Sequence, residues 1–524
     1  MDANTTGTNN VGVGDNTLGA NTTASNNTAV GSQALVANTT GTRNVAVGAY
    51  SLDANTTAND NTAVGYSAAT SITTGVSNTA IGASSLLTLT TGSRNTSLGY
   101  NALTLQTDAS DNVGIGNYAG GAITTGAYNT FVGSLAGDGL TTAGSNVGVG
   151  YRALSSASFN AADCTAVGKD ALLENTTGDQ NVAVGSNALD ANTTGRNNIG
   201  IGKDALGVNT TGDANLAVGV AALDANTTGD YNLALGYGAL SGNTTASDNT
   251  AVGYLASVAV TTGSYNTSMG RSALGATTTG ASNTAIGKSA MASNTTASGN
   301  TAVGFSAGDN ITTGGANVAI GYHAADDLTE GENNTLVGYA ANIYAVDTDN
   351  CIILGKSCKG VAEASNNGNY MFTFGVSNGS DRVWNEFDNN ATFARVSDVR
   401  YKENIKDNTD CGLDFINDLR PVTFTWKAKA DIDPSLPDYD ETKLEPKHDG
   451  RKLYGLIAQE VKAVLDKHEI TDFGGWTQED DSDIQGIAQG MFVYPLIKAV
   501  QELSAEVEQL KSKAHDKCDN NKEE

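Results

Sequence analysis

The chain is 524 residues long, enough for more than one domain, and carries 56 Asp+Glu against 29 Lys+Arg for a formal charge of −27. A surface this negative repels phosphate backbones and argues against a nucleic-acid partner. No apolar run is long enough to cross a bilayer and no signal pattern opens the chain, so synthesis in the cytoplasm and no membrane insertion are expected.

The charge is unevenly spread. Residues 1–396 hold 12 Lys+Arg and 28 Asp+Glu, whereas the 128 residues from 397 to 524 hold 17 and 28, together with all five prolines. Cys164, Cys351, Cys358, Cys411 and Cys518 make neither a metal spacing nor a disulfide framework, and the four histidines are dispersed. No cofactor and no metal are expected.

From Gly14 to Gly355 the sequence repeats. Aligned on the glycine of "NTAVG", 21 glycines recur, and every interval is 17 residues except Gly150 to Gly168, which is 18. The residue before the glycine is always aliphatic or Met (Val13, Ile81, Met269), and Thr, Val, Ile or Leu stands two before that. These two positions share one face of a short strand, with mostly Ala, Gly or Ser between them. Four before the glycine stands Asn, replaced only by Cys164 and Cys351. Stacked amides one coil apart can bond up a ladder, and the glycine permits a tight turn. A second segment follows, often ending in Ala-Leu (Ala34-Leu35, Ala188-Leu189), then a polar Asn-Thr-Thr-Gly turn such as Asn38 to Gly41.

Seventeen residues suit two short strands and two turns, one coil of a parallel β-roll, and the lack of proline leaves every backbone donor free to pair. Twenty-one coils at ~4.8 Å each stack to roughly 100 Å. One such coil encloses little core, and the small-residue column suggests three chains packed side by side. The Asn-Thr-Thr sequon recurs because the turn recurs, which makes turn chemistry the simpler reading than glycosylation. Over residues ~10–355, "NTAVG" and "NTAIG" resemble the head repeats of trimeric bacterial adhesins and the repeat fibres of phages and large viruses. The adhesin heads have a shorter period and end in a membrane barrel anchor not seen here, which weighs against a surface-anchored protein.

After Gly355 the period fails. "NYMFTFGVSNGSDRVWNEF" alternates apolar and polar residues and reads as short neck strands. "PVTFTWK" (Pro421–Lys427) reads as a strand and "YGLIAQEVKAVLDKH" (Tyr454–His468) as an amphipathic helix. A last helix from around Tyr494 carries Leu496, Val500, Leu503, Val507 and Leu510, spaced 4, 3, 4, 3 as in a coiled-coil seam, with Glu502, Glu506, Glu508 and Lys511 beside it. A core helix is the alternative for three of these apolar residues.

"SDVRYKENI", "PVTFTWK", "YGLIAQEV" and "YPLIKAVQEL", in this order over residues ~397–513, resemble the endosialidase-type intramolecular chaperone domain of phage tail spikes, tail fibres and neck appendages. The resemblance implies a trimer that templates fibre folding and then cuts itself off between Val396 and Ser397. It assigns a serine–lysine dyad to Ser397 and Lys402, the acidic position to Asp398, and motif support to Arg400, Asn404 and Ile405. The chemistry is coherent: a serine hydroxyl attacks only when a base takes its proton. Lysine serves as that base when burial or a nearby cation disfavours its ammonium, and Arg400 and Lys406 are close in sequence. Without the resemblance, Ser397 as a helix N-cap and Lys402 on a solvated face is the plainer reading.

The expected fold is therefore mainly β: solenoid repeats over residues 1–355, neck strands over 356–396, and an α+β chaperone and autoprotease domain over 397–524 ending in a short coiled coil. The expected function is a homotrimeric viral, phage-type fibre or appendage located on the virion. Its partners are a host cell-surface receptor, with a glycan as one option, and other virion proteins at its N-terminal end. Autoproteolysis is the only enzyme activity expected. A polysaccharide-degrading tailspike, which needs a carboxylate pair, and a surface- or ice-binding adhesin are the alternatives.

Overall fold

A computed structural model describes residues 3–360, 369–376, 382–386, 394–395, 403–434, 439, 441–442, 444, 452–478 and 484–520. The chain divides into two compact units, Met1–Ser397 and Asp398–Glu524.

The first unit is a parallel β-solenoid. Among the described residues, 21 three-residue strands run from β1 (Val11–Val13) to β21 (Ile352–Leu354), each paired in parallel with the next. The register advances one period per coil, Val11 opposite Thr28 and Thr28 opposite Val45. At the 18-residue coil the pairing absorbs the extra residue, so Val147 still faces Thr165. The repeat glycines all have positive φ, from 126° at Gly355 to 144° at Gly168. A Cβ on Gly48 would lie 2.3 Å from the carbonyl oxygen of Gly65 in the next coil, so both the conformation and the stacking demand glycine here.

Each coil holds one strand and not two. The Ala-Leu segment is a turn: Leu35, Leu52 and Leu189 have φ of 51°, 48° and 53°, the left-handed region, which cannot extend a ladder. Holding a leucine there costs about 1–2 kcal/mol, whereas burying its side chain returns about 1.5–3 kcal/mol. Leu35, Leu52 and Leu189 are fully buried. The coil thus keeps a strained backbone because that backbone aims the leucine inward.

The small-residue column also faces the coil's own interior and not a second chain. Ala29, Ala46 and Ala183 are fully buried, and a Cβ on Gly114 would meet Leu103 Cγ at 2.7 Å. The close approach expected there is made within one chain. The residues on either side, Thr or aliphatic before it and aliphatic or Met after it, point outward, and Val47, Leu98 and Met269 are 36%, 43% and 45% exposed.

Core volume is shared between two columns. Where the inward leucine is replaced by Ala69, Gly120, Gly137, Ser257, Gly308 or Ala325, the residue three further on is Ile72, Ile123, Leu140, Val260, Ile311 or Leu328, all buried. In most coils that keep Leu, that residue is Asn, as in Leu35/Asn38 and Leu189/Asn192. Interiors close-packed to this degree tolerate such trades and little else.

Three strands close the first unit. β22 (Met371–Gly375) pairs in parallel with β21, and β23 (Arg382–Glu386) and β24 (Ala394–Arg395) follow antiparallel. The expected neck strands thus continue the solenoid sheet. In the second unit, α1 (Leu413–Asp418) and α2 (Ala458–Lys467) pack on one small core, and the antiparallel pair β25 (Val422–Phe424) and β26 (Leu453–Gly455) lies between them in the chain. A second pair, β27 (Trp476–Gln478) and β28 (Gln485–Ile487), precedes α3 (Val493–Asn520). The helix expected from Tyr454 begins at Ala458, because Leu453–Gly455 pair with β25 as a strand.

Candidate functional site

The junction is built from the end of one unit and the start of the other. On the upstream side, β24 pairs with β23 with Arg395 opposite Val383 and Ala394 opposite Trp384. The backbone is therefore held in a sheet up to the residue before Val396. Val396, Ser397, Asp398, Arg400 and Lys402 lie outside the described residues. Downstream, Asn404 adopts the left-handed region at φ 56°, a conformation Asn accepts more readily than most residues, and Ile405 is 62% exposed.

From there the chain is tied down by side-chain chemistry. Asn408 Oδ1 accepts the N–H groups of Asp410 and Cys411 at 3.2 and 3.1 Å, and its Nδ2 donates to the Cys411 carbonyl at 3.0 Å. This local turn delivers the chain into α1. At the first turn of α1, the N–H of Leu413 donates to Glu502 Oε2 of α3 at 2.7 Å, a carboxylate placed at a helix N-terminus. Glu502, expected as a coiled-coil flank, instead anchors α3 to α1.

The core beneath is Cys411, Phe415, Val461 and Leu465, with Trp476 and Phe492 partly buried against it. Phe473 stands between Phe415 and Phe492, with ring centroids 5.8 and 5.1 Å away. At the rim, Asp418 accepts from Lys467 Nζ at 2.7 Å and pairs with His468 Nε2 at 2.6 Å. Lys467 first, then His468, holds the Asp418 carboxyl below the usual carboxylate range. Arg420 pairs with Glu460 in the same way. His468 is thus held by a hydrogen bond to Asp418. The sequence signal for this cluster was weak, because Asp418 and His468 are 50 residues apart.

In the solenoid, the asparagines four before the repeat glycines are buried from Asn27 onward, and each bonds to the backbone of the next coil. Asn27 Nδ2 donates to the Gly41 carbonyl at 2.8 Å. Amide-to-amide bonds also occur in this column, as from Asn95 Nδ2 to Asn78 Oδ1 and from Asn334 to Asn317, both at 3.0 Å. A second such ladder runs through the Asn-Thr-Thr turns: Asn192 Nδ2 to Asn175 Oδ1 at 2.9 Å, Asn226 to Asn209 at 2.8 Å. These turn asparagines are fully buried, so the folded sequons are closed to glycosylation. Among the described residues no group of His, Cys, Asp and Glu could hold a metal ion, and no helix is long and apolar enough to cross a membrane.

Residues 397–469 match the family described as the chaperone of endosialidase. The matched span opens at Ser397 and runs through α1, β25, β26 and α2 to just beyond the end of α2. No curated protein matches the chain. A β-solenoid of stacked coils followed by a chaperone-of-endosialidase segment fits a tail-fibre-like protein.

Proposed function

We propose that the chain is the protomer of a homotrimeric fibre or appendage of viral, phage-like type. The solenoid provides reach toward a host cell surface and the C-terminal domain directs assembly. In this reading the domain then releases itself by cleavage between Val396 and Ser397. The Ser397 hydroxyl attacks the carbonyl of Val396 as Lys402 takes its proton, and the Val396–Ser397 C–N bond breaks with that proton passed to the departing Ser397 nitrogen. Water then hydrolyses the resulting ester to a Val396 carboxylate and a free Ser397 hydroxyl and amine. Asp398, Arg400, Asn404 and Ile405 shape the site. Other virion proteins would hold the N-terminal end.

The single observation that carries this reading is the junction. A chaperone-of-endosialidase match opens at Ser397, directly after a 24-stranded sheet whose last pairing is at Arg395. Two further features support assembly from like chains. The outward aliphatic columns of the solenoid repeat with the coil period, so a second copy in register is the surface that matches them over their length. On α3, Leu496, Val500, Leu503, Val507 and Leu510 are all exposed, as a seam awaiting partners is.

Assembly also gives the joint its reason. A strict period offers a wrong register at every coil, and register is weakly specified when repeats are alike. Three ends held together by one compact domain start the chains in step and raise their effective concentration. Cutting the domain away afterwards makes that assembly irreversible.

The test is the mass and first residue of the expressed protein. A fragment beginning at Ser397, a trimeric N-terminal product, and an uncut 53.4 kDa chain for Ser397→Ala are expected. A wild-type chain that stays whole would end the cleavage part. The ice-binding alternative is less well supported by the geometry: the first threonine of each pair bonds its hydroxyl to the next coil, as Thr176 Oγ1 does to the Thr193 carbonyl at 2.8 Å.

A further inference from the structure

The residue directly after each repeat glycine forms an outward column, and its chemistry changes along the fibre. Over 21 coils this column holds one acid, Asp15, against five bases: Lys169, Lys203, Arg271, Lys288 and Lys356. Over seven consecutive coils it reads Tyr237, Tyr254, Arg271, Lys288, Phe305, Tyr322, Tyr339.

The side chains of this run are stacked in two blocks. Tyr237 and Tyr254 lie parallel within 13° at 5.4 Å, and the Arg271 guanidinium sits 5.6 Å from the Tyr254 ring. On the far side, Lys288 Nζ is 5.1 Å from the Phe305 ring. Phe305 stacks on Tyr322 at 5.3 Å and Tyr322 on Tyr339 at 5.1 Å. Two aromatic runs are thus each capped by a cation, and the two cations occupy neighbouring coils.

That cation pair lacks the acids that accompany Lys169 and Lys203. Lys169 and Lys203 are each followed by an aspartate that pairs with them, Asp170 at 2.6 Å and Asp204 at 2.5 Å. Arg271 and Lys288 are followed by Ser272 and Ser289. No acidic residue occurs between Asp248 and Asp309, where Arg271 and Lys288 are the only charges. Like charges one coil apart repel. In a chain of charge −27, this is an uncompensated positive island flanked by half-exposed rings, from Phe305 at 39% to Tyr237 at 53%.

We propose that this stripe binds a linear acidic polysaccharide laid along the fibre. The proposal rests on the reading of the chain as a host-attachment fibre and names the ligand class and the place. The carboxylate or phosphate of the polymer sits between Arg271 and Lys288, where a guanidinium offers paired donors. Its sugar rings lie along the phenol hydroxyls and ring edges on either side, over a run of seven coils that measures ~29 Å at one strand spacing per coil. A contact between copies of this chain fits less well. A lengthwise contact asks for uniform chemistry in every coil, as the apolar column before the glycine has, and this column changes from Ser32 and Ala49 to Tyr254 and Lys288.

The test uses the full chain on immobilised alginate, colominic acid and teichoic acid, with dextran and poly-glutamate as neutral and non-sugar controls. Expected is retention by at least one acidic polysaccharide in preference to both controls. Affinity should fall about tenfold or more, a change of about 1.4 kcal/mol, in Arg271→Ser/Lys288→Ser and in Tyr254→Ser/Tyr322→Ser. Serine occupies this column at Ser32, Ser134 and Ser186, so the first pair should keep the wild-type thermal midpoint. Binding to none of the three polymers, equal binding to poly-glutamate, undiminished binding by the Arg271/Lys288 variant, or an altered oligomeric state in that variant would each overturn the proposal. Assembly and cleavage are scored on the same samples, so a failure of the fibre reading appears as unassembled, uncut chain and is separate from a loss of glycan binding.

Discussion

Asn27 and Asn44 stand one coil apart, and the backbone N–H of Asn44 donates to the Asn27 side-chain Oδ1 at 2.9 Å. The same side chain donates through Nδ2 to the Gly41 carbonyl at 2.8 Å. One buried amide therefore satisfies a donor and an acceptor of the following coil, and the pattern recurs along the solenoid. Asn232 repeats it, accepting from the Asn249 N–H at 3.1 Å and donating to the Ala246 carbonyl at 2.9 Å. Asn232→Leu should orphan the buried Asn249 N–H, at about 1–3 kcal/mol, while the Ala246 carbonyl keeps the Asn243 amide at 3.0 Å. Thermal unfolding of the full chain should show a lowered midpoint. An unchanged midpoint would mean that water or a neighbouring coil replaces the amide.

Two coils place cysteine in that ladder, and burial governs their chemistry. Desolvation pushes the Cys164 and Cys351 thiols up to about 11. Thiolate is the reactive form, so neither should be alkylated by iodoacetamide at pH 8 in the folded protein, and both should react on unfolding. The pH dependence follows from the direction of the shift. A thiol whose folded pKa lies above its unfolded value contributes stability that is fully present below the unfolded value, near 9. That contribution is lost as pH rises from there through about 11. Chemical denaturation should therefore show alkaline weakening above pH 9 that Cys164→Ser reduces.

The period, the glycine column and the Asn column were legible in the sequence because each coil repeats its contacts at a fixed spacing. The direction of the strand faces was not. Alternation shows that Val45 and Val47 share a side, but not that Ala46 is the residue turned inward. The interior of so short a coil accepts only a small side chain opposite leucine. The left-handed leucines were also hidden, since residue type favours extended or right-handed backbone at Leu35 and Leu52. At the junction, the motif from Ser397 to Ile405 was readable as a pattern. The capping of α1 by Glu502 was not, because it joins residues 89 apart.

Phe131 shows how strictly the interior volume is balanced. It occupies the small-residue column and is fully buried, and glycines surround it. A Cβ on Gly137 would lie 2.5 Å from its ring, and one on Gly148 2.8 Å. Gly137→Leu alone should overpack the coil and destabilise by about 1–3 kcal/mol, and Phe131→Ala alone should leave a cavity worth about 3–5 kcal/mol. The double variant recreates the arrangement of Ala80, Leu86 and Leu89, all buried in their own coil, and should recover most of both losses. A double-mutant cycle measures this: additive losses would show that the two sites do not share one space.

The last helix makes two different contacts along its length. Ala499 is buried and Glu502 reaches the N-terminus of α1, so one side of α3 belongs to its own domain. The seam side carries Val500, Leu503 and Val507 at 58%, 48% and 41% exposure. Covering such residues yields about 1.5–3 kcal/mol apiece, and leaving them in water forms an apolar patch of the kind that marks an interface. Val500→Glu/Leu503→Glu changes only exposed positions and should leave the domain folded, as read by the near-ultraviolet signal of Trp426 and Trp476. It should abolish trimers in sedimentation and leave the repeat region misassembled or aggregated, because chains that start out of step find a wrong register at every coil. Intact trimers from this variant would move the seed of assembly away from α3 and onto the solenoid's own aliphatic columns.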